Sequence, residues 1–173
     1  MIFKLVVIAS IIGIIILLSQ NAYFQSSKCY EGNATIKPIF SPYSSEEVFN
    51  LIKDAKHEIK VEVYEFSNKA LADALIIARE NGVSVQVILD SSVYNNNGIF
   101  NYLLNNGVNV NWAPKKFRLT HSKFMIIDDS IILVGSMNWS ESSMKNNREA
   151  SVVIYSKEVS SEFEKVFDSD FNA

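Results

Sequence analysis

The chain has 173 residues, 48% of them hydrophobic, and a formal charge of −3. That size suits one globular domain with its own core plus a short extension, and the slight acidity excludes a general polyanion binder coated in Lys and Arg while leaving room for a local basic site. The single cysteine, Cys29, excludes an internal disulfide and a zinc knuckle; it reads as an incidental thiol, with a link between two chains as the alternative in an oxidising compartment.

The chain opens with Lys4 and then an apolar run from Leu5 to Leu18, broken only by Ser10 and Gly13, before Ser19, Gln20 and Asn21 restore polarity. A positive start followed by such a run predicts a signal peptide or an N-terminal membrane anchor over residues 1–21. A spanning helix needs roughly 20 residues, and Ile2, Phe3, Ala22, Tyr23 and Phe24 can extend the run. With no clean A-x-A cleavage signal, the retained anchor is the first choice. Either form predicts that the domain lies outside the cytoplasm, membrane-anchored or secreted and periplasmic. Residues 22–34 are polar and unpatterned, a linker; residues 35–173 form the domain.

Within the domain, Thr35–Phe40 predicts a strand ended by Ser41-Pro42. Ser44-Ser45-Glu46-Glu47 opens a helix with a serine cap and early acidic residues, and Val48, Phe49, Leu51, Ile52 and Ala55 make its apolar face. Ile59–Phe66 alternates, with Ile59, Val61 and Val63 turned inward and Lys60, Glu62 and Tyr64 outward, a half-buried strand. Asn68–Asn81 reads as a helix stopped by Gly82, and Val83–Leu89 as a β-branched strand. The run Asn95-Asn96-Asn97 reads as a loop, Ile99–Asn106 as a short helix ended by Gly107, and Val108–Trp112 as a strand. Phe124–Ile127 and Ile131–Val134 are two strands joined by a tight turn at Asp128-Asp129-Ser130. Ser151–Tyr155 is a further strand, and Lys157–Phe171 a closing helix. Alternating strands and helices predict an α/β fold with a β-sheet layered between helices, mixed because of the hairpin.

The chemistry concentrates in His121-Ser122-Lys123 and the residues that follow. Strand geometry places His121 and Lys123 on one face, about 7 Å apart along the chain, and Ser122 on the other. The apolar residues Phe124–Ile127 behind them suit a strand buried on both faces, and the returning strand carries Ser136 and Asn138 back to the same end. A histidine, an ammonium and an amide converge there with no metal-ligand cluster. Lys115, Lys116 and Arg118, with Lys123, give four cations within nine residues. They read as a phosphate-steering rim, with Trp112 and Phe117 available to stack on bases, against a solvated loop as the alternative. Lys145 and Arg148 extend that rim or face water. His57, alone, is an ordinary histidine. Asn138-Trp139-Ser140 matches a glycosylation acceptor, but an asparagine aimed into the site argues against it.

The pattern HxK(x)4D(x)6GSxN, spanning His121, Lys123, Asp128, Gly135, Ser136 and Asn138, resembles the signature of the phospholipase D superfamily. Glu149 stands where that family places the acidic partner of its histidine. A single copy of the motif is similar to the single-HKD-motif members: the small bacterial Nuc-type endonucleases and the mitochondrial cardiolipin-hydrolase-like proteins. The resemblance implies a Nuc-type fold over roughly Thr35–Phe171 and a phosphodiesterase working without metal or other cofactor through a phosphohistidine on His121. Glu149 would orient the imidazole. Lys123 and Asn138 would bind the phosphoryl oxygens, while Asp128 and Ser136 play supporting, structural parts. It also implies a homodimer sharing one active site, in which the partner's His121 protonates the leaving oxygen. DNA or RNA is the expected substrate. The alternatives are a membrane phospholipid such as cardiolipin, or a non-catalytic, membrane-tethered nucleic-acid-binding protein.

Overall fold

The computed structural model describes residues 32–42 and 44–173. The expected signal or anchor, residues 22–31 of the linker and Cys29 lie outside them. Among the described residues, no helix is long and apolar enough to cross a membrane.

Strands and helices alternate through β1 (Thr35–Phe40), α1 (Ser45–Asp54), β2 (Glu58–Val63), α2 (Lys69–Glu80), β3 (Ser84–Leu89), α3 (Asn96–Asn105) and β4 (Asn109–Trp112). They continue with β5 (Lys123–Ile127), β6 (Ile131–Gly135), α4 (Glu141–Lys145), β7 (Ala150–Tyr155) and α5 (Lys157–Phe171). One seven-stranded sheet runs in the order β1-β7-β6-β5-β2-β3-β4. β2, β3 and β4 are parallel, as helical crossovers require, and the other pairings are antiparallel. The sheet is therefore mixed, as the hairpin predicts. Pro38 sits on β1, an edge strand, where a missing N–H leaves no ladder partner stranded.

One face of the sheet carries Val61, Val63, Val87, Met125 and Leu133, packed against Leu51, Ile52, Leu71, Leu75 and Leu103 of α1, α2 and α3. The other face carries Ile88, Phe124 and Ile126 against Phe163, Phe167 and Phe171 of α5. This second layer corrects the reading of β2 as half-buried. Lys60 is 8% exposed and Glu62 1%, because α5 lies across the face that the alternation assigned to solvent. Lys60 remains charged there by pairing with Glu164 at 2.7 Å and with Glu58 and Asp168 at 3.4 Å each. Burial of an ammonium is tolerated only with such partners.

Two local expectations also change, and one helix is added. Ser44 does not cap α1 with its side chain; its hydroxyl turns to Met137 Sδ at 3.5 Å. The Asn95–Asn97 run is not a loop: α3 begins at Asn96, whose fully buried amide accepts from Phe66 N (2.8 Å) and donates to Tyr64 O and Asp90 O (2.8 Å each). Polar side chains starting a helix this way satisfy strand ends that have left the ladder. A short helix, α4, follows Ser140, whose Oγ accepts from Ser143 N. Trp139 and Ser140 are 2% and 6% exposed, so two of the three residues of the glycosylation triplet are packed inside.

The β5–β6 turn places Asp128 and Asp129 at φ 49° and 54°, the left-handed pair of a tight hairpin turn. Asp128 is structural, as expected. Its carboxylate accepts from the backbone N–H groups of Lys56, His57 and Glu58 at 2.9, 2.7 and 3.0 Å, fastening the entry of β2 to the hairpin. Burial raises its pKa, but these three donors more than offset that and hold it below the ordinary carboxylate value.

Candidate active site

The motif residues meet at the end of the sheet opposite that turn. Val63 pairs with Lys123, and Tyr64 N donates to Ser122 O at 2.9 Å, prolonging the ladder past the strand. On the other side, Thr120 N donates to Asp90 Oδ2 at 2.6 Å. The backbone flanking His121 is thus held from two directions while its ring remains exposed.

The ring lies against Tyr64, with centroids 4.4 Å apart. Lys123, 9% exposed, donates from Nζ to His121 O at 2.6 Å, and Nζ stands 3.2 Å from His121 Nδ1. It also lies 5.2 Å from the Tyr64 ring centroid. Burial lowers the lysine's pKa, against the opposing pull of Glu149 and Glu65. Asn138 approaches the same corner: its Nδ2 reaches Glu65 Oε2 at 3.5 Å, and its Oδ1 is buried without a hydrogen-bond partner. Ring, ammonium and amide are therefore gathered as the strand spacing predicts. A buried ammonium beside an amide is a donor set for an anion.

Glu149 is placed differently from expectation. Its Oε2 accepts from Ser136 Oγ at 2.6 Å and its Oε1 from Asn147 Nδ2 at 3.2 Å, while its N–H donates to Ser41 Oγ at 2.7 Å. The carboxylate is satisfied by Ser136 and Asn147. The group facing His121 Nδ1 is the Lys123 ammonium, which can only donate, so Nδ1 is the acceptor in this arrangement. Ser136 Oγ thus steadies the Glu149 carboxylate. Gly135 is required because a Cβ there would collide with the backbone of Ala150 and Ser151 on β7.

The rim divides. Lys115 and Arg118 are exposed beside a cavity of about 250 Å³ that Asp90, Ser91 and Phe117 also line. Lys116 instead pairs with Asp170 of α5 at 3.0 Å and lies 5.0 Å from the Phe117 ring centroid. It fastens the loop rather than steering phosphate. Trp112 is stacked on Phe100, centroids 4.0 Å apart and 6° from parallel, so it is not available to a base. Both residues were spent on packing that local sequence does not reveal.

Asp90, Tyr64 and Glu65 were not singled out as site residues. They share one signal: each follows the carboxyl end of a parallel strand, where open α/β sheets hold their ligands. Burial raises the pKa of Asp90, but bonds from Ser92 Oγ, Thr120 N and Ser92 N, with His121 nearby, bring it below the ordinary value. Glu62, beneath the same loop, moves the other way: burial pushes it up to about 6, with Ser122 and Lys116 opposing and Asp170 assisting.

Among the described residues, the group of side chains able to hold a metal is Glu58, Asp129 and Glu164, with ligand atoms within 4.8 Å of one another. It stands at the far end of β2 from His121, and the Lys60 ammonium already sits among these carboxylates.

Residues 48–171 match the family described as cardiolipin synthase, PLD-like domain. The mitochondrial cardiolipin hydrolase of Mus musculus is 27% identical over 139 residues, 76% of this chain and 62% of that protein. The cardiolipin synthase of Clostridium perfringens (strain SM101) is 30% identical over 129 residues, 70% of this chain and 27% of its own length. This chain thus spans less than two thirds of the curated relatives it matches. Nuc from Salmonella typhimurium, a phospholipase D family member, superposes with a TM-score of 0.75 at 24% identity, covering 81% of this chain and 95% of that one. NucT from Helicobacter pylori gives 0.70 at 22% identity, covering 81% and 97%. At these identities the two structures establish the shared fold.

Proposed function

The chain belongs to the phospholipase D superfamily as a Nuc-like member, and on that premise we propose that it hydrolyses phosphodiester bonds of DNA or RNA through His121. The observation that carries the reading is the meeting of an exposed imidazole with the buried Lys123 ammonium, 3.2 Å from its Nδ1, and the Asn138 amide at one strand mouth. His121 Nε2 attacks phosphorus, the P–O bond to the leaving oxygen breaks, and a phosphohistidine forms; water then cleaves the P–N bond and restores the ring. Lys123 and Asn138 donate to the non-bridging oxygens as charge redistributes, each worth on the order of 10²–10³ in rate.

Attack through Nε2 requires the ring proton on Nδ1. A bound phosphate draws the Lys123 ammonium away from Nδ1, and Glu149, whose charge acts on Lys123, is the carboxylate that then receives Nδ1–H. In a homodimer with a shared site, the partner's His121 protonates the leaving oxygen. The donor set needs no metal or other cofactor for this chemistry. The N-terminal apolar run would hold the domain at a membrane, outside the cytoplasm.

Phospholipid hydrolysis is the second reading. Phe117 and Leu119 are 48% and 43% exposed among the cations of the rim, the apolar and basic mixture that seats a surface in a lipid interface. The curated relatives named for cardiolipin favour it too.

The test incubates the full-length protein with plasmid, single-stranded DNA, RNA and cardiolipin vesicles in parallel, with and without EDTA. Turnover of a nucleic acid in EDTA, lost in His121→Asn with the far-ultraviolet spectrum unchanged, is the expected result. Turnover by His121→Asn, or loss in EDTA restored by a divalent ion, refutes the mechanism. Cleavage of cardiolipin alone transfers the reading to lipid. Sedimentation of the active species tests the dimer, and an active monomer excludes the shared site.

A further inference from the structure

The cavity of about 250 Å³ beside His121 has a composition that the phosphodiester site itself does not use. A water's share of liquid is roughly 30 Å³, so the space admits a group well beyond a solvent molecule. Asp90 forms its inner wall and also holds Thr120 N at 2.6 Å, so the cavity and the nucleophile share one anchor. Lys115, Phe117 and Arg118 line the outer side. Arg118 lies three residues from His121, a backbone span of at most about 10 Å, within reach of the next ester unit of a chain held at His121.

The charges of the lining are distributed unevenly. Among the described residues, neither Lys115 nor Arg118 is ion-paired to a carboxylate, whereas neighbouring Lys116 is held by Asp170. Asp90 stays ionised; its Oδ1 accepts from Ser92 N and Ser92 Oγ, and its Oδ2 from Thr120 N, which leaves Oδ2 an open acceptor position. A bare anion filling the cavity would be repelled at its inner wall. A ligand offering an anion outward and a hydroxyl or N–H inward meets both ends.

We propose that this cavity binds the phosphate neighbouring the scissile one, between Lys115 and Arg118, with a hydrogen-bond donor of the connecting unit turned to Asp90. The inference rests on the phosphodiesterase reading and narrows it to substrates carrying consecutive phosphates. Nucleotide strands have that chemistry, with sugar or base donors, and so do two phosphates bridged by a glycerol hydroxyl. Phe117 offers apolar contact to the connecting carbons or to a base. A diester with one phosphate leaves the two cations unmatched.

The experiment uses the full chain and compares pTpTpT with bis(p-nitrophenyl) phosphate in one arm, and cardiolipin with phosphatidylglycerol in mixed micelles in the other. In Lys115→Gln/Arg118→Gln, the ratio of kcat/KM for the multiphosphate substrate to that for the one-phosphate substrate falls at least ten-fold in one arm, with the loss in KM. Whichever arm shows the fall identifies the source of the second phosphate. The wild-type preference also shrinks as salt rises. Lys53→Gln/Lys157→Gln, which removes the same charge elsewhere on the domain, serves as the control. Both ratios unchanged in Lys115→Gln/Arg118→Gln, or a fall equalled by the control, overturns the subsite. A wild type that turns over none of the four substrates overturns the phosphodiesterase reading itself, and the subsite with it.

Discussion

Replacing Glu62 with Gln is expected to stabilise the fold at neutral pH, by an amount that the burial of this carboxylate sets. Glu62 is 1% exposed, lies on the sheet face covered by α5, and keeps Oε2 without a hydrogen-bond partner. Burial is the main cause that moves its pKa from 4.5 to about 6. A carboxyl that binds its proton more tightly when folded contributes stability that is complete below about pH 4.5 and lost as pH rises through about 6. At about 1.36 kcal/mol per pH unit, the ionised group costs about 2 kcal/mol above pH 7. Glu62→Gln keeps the shape and removes the charge. The two proteins should unfold at similar urea concentrations at pH 4, and diverge between pH 4.5 and 6 until the variant leads by about 2 kcal/mol. For a chain of this size that is roughly 4–8 °C in Tm. Taking the difference at each pH cancels the titration of other groups, including Glu58, which burial and its bonds with Asp129 and Glu164 push up to about 8. A difference that stays constant with pH, or that turns against the variant as pH rises, refutes the account of Glu62 as a destabilised buried anion.

Two substitutions separate support from chemistry. Asp128→Ala removes the acceptor of three backbone N–H groups and should lower stability by about 2–4 kcal/mol, read from urea midpoints, while turnover per folded molecule stays at the wild-type level. Asn96→Ala strands Phe66 N–H and the carbonyls of Tyr64 and Asp90. It should cost about 3 kcal/mol or more and also reduce kcat at temperatures where the protein is fully folded, because Tyr64 packs on His121 and Asp90 holds Thr120. An Asn96→Ala protein with wild-type kcat would show that this amide serves stability alone.

Where the sequence could be read, the reason was short range. Alternation leading into β5 puts His121 and Lys123 on one side, and the β6 return brings Asn138 to the same mouth, because strand pleat and a tight turn are local geometry. The closing helix begins and ends at Lys157 and Phe171 as predicted, since its caps and period are written within it. Asp128 was legible at its turn, but its donors on Lys56, His57 and Glu58 lie 70 to 72 residues away and only the fold supplies them. The misreadings share the opposite cause. Lys60 meets Glu164 across 104 residues of sequence, so no window around β2 can show that its polar face is roofed by α5. Trp112 is taken by Phe100 and Lys116 by Asp170. Sequence alone therefore determined which candidate groups gather at one site and which strands carry them, since both follow from residue type and spacing. Which faces are covered, which cations stay open to a substrate and where each carboxylate spends its hydrogen bonds were decided only in three dimensions, because desolvation and hydrogen-bond partnership depend on what the rest of the chain brings alongside.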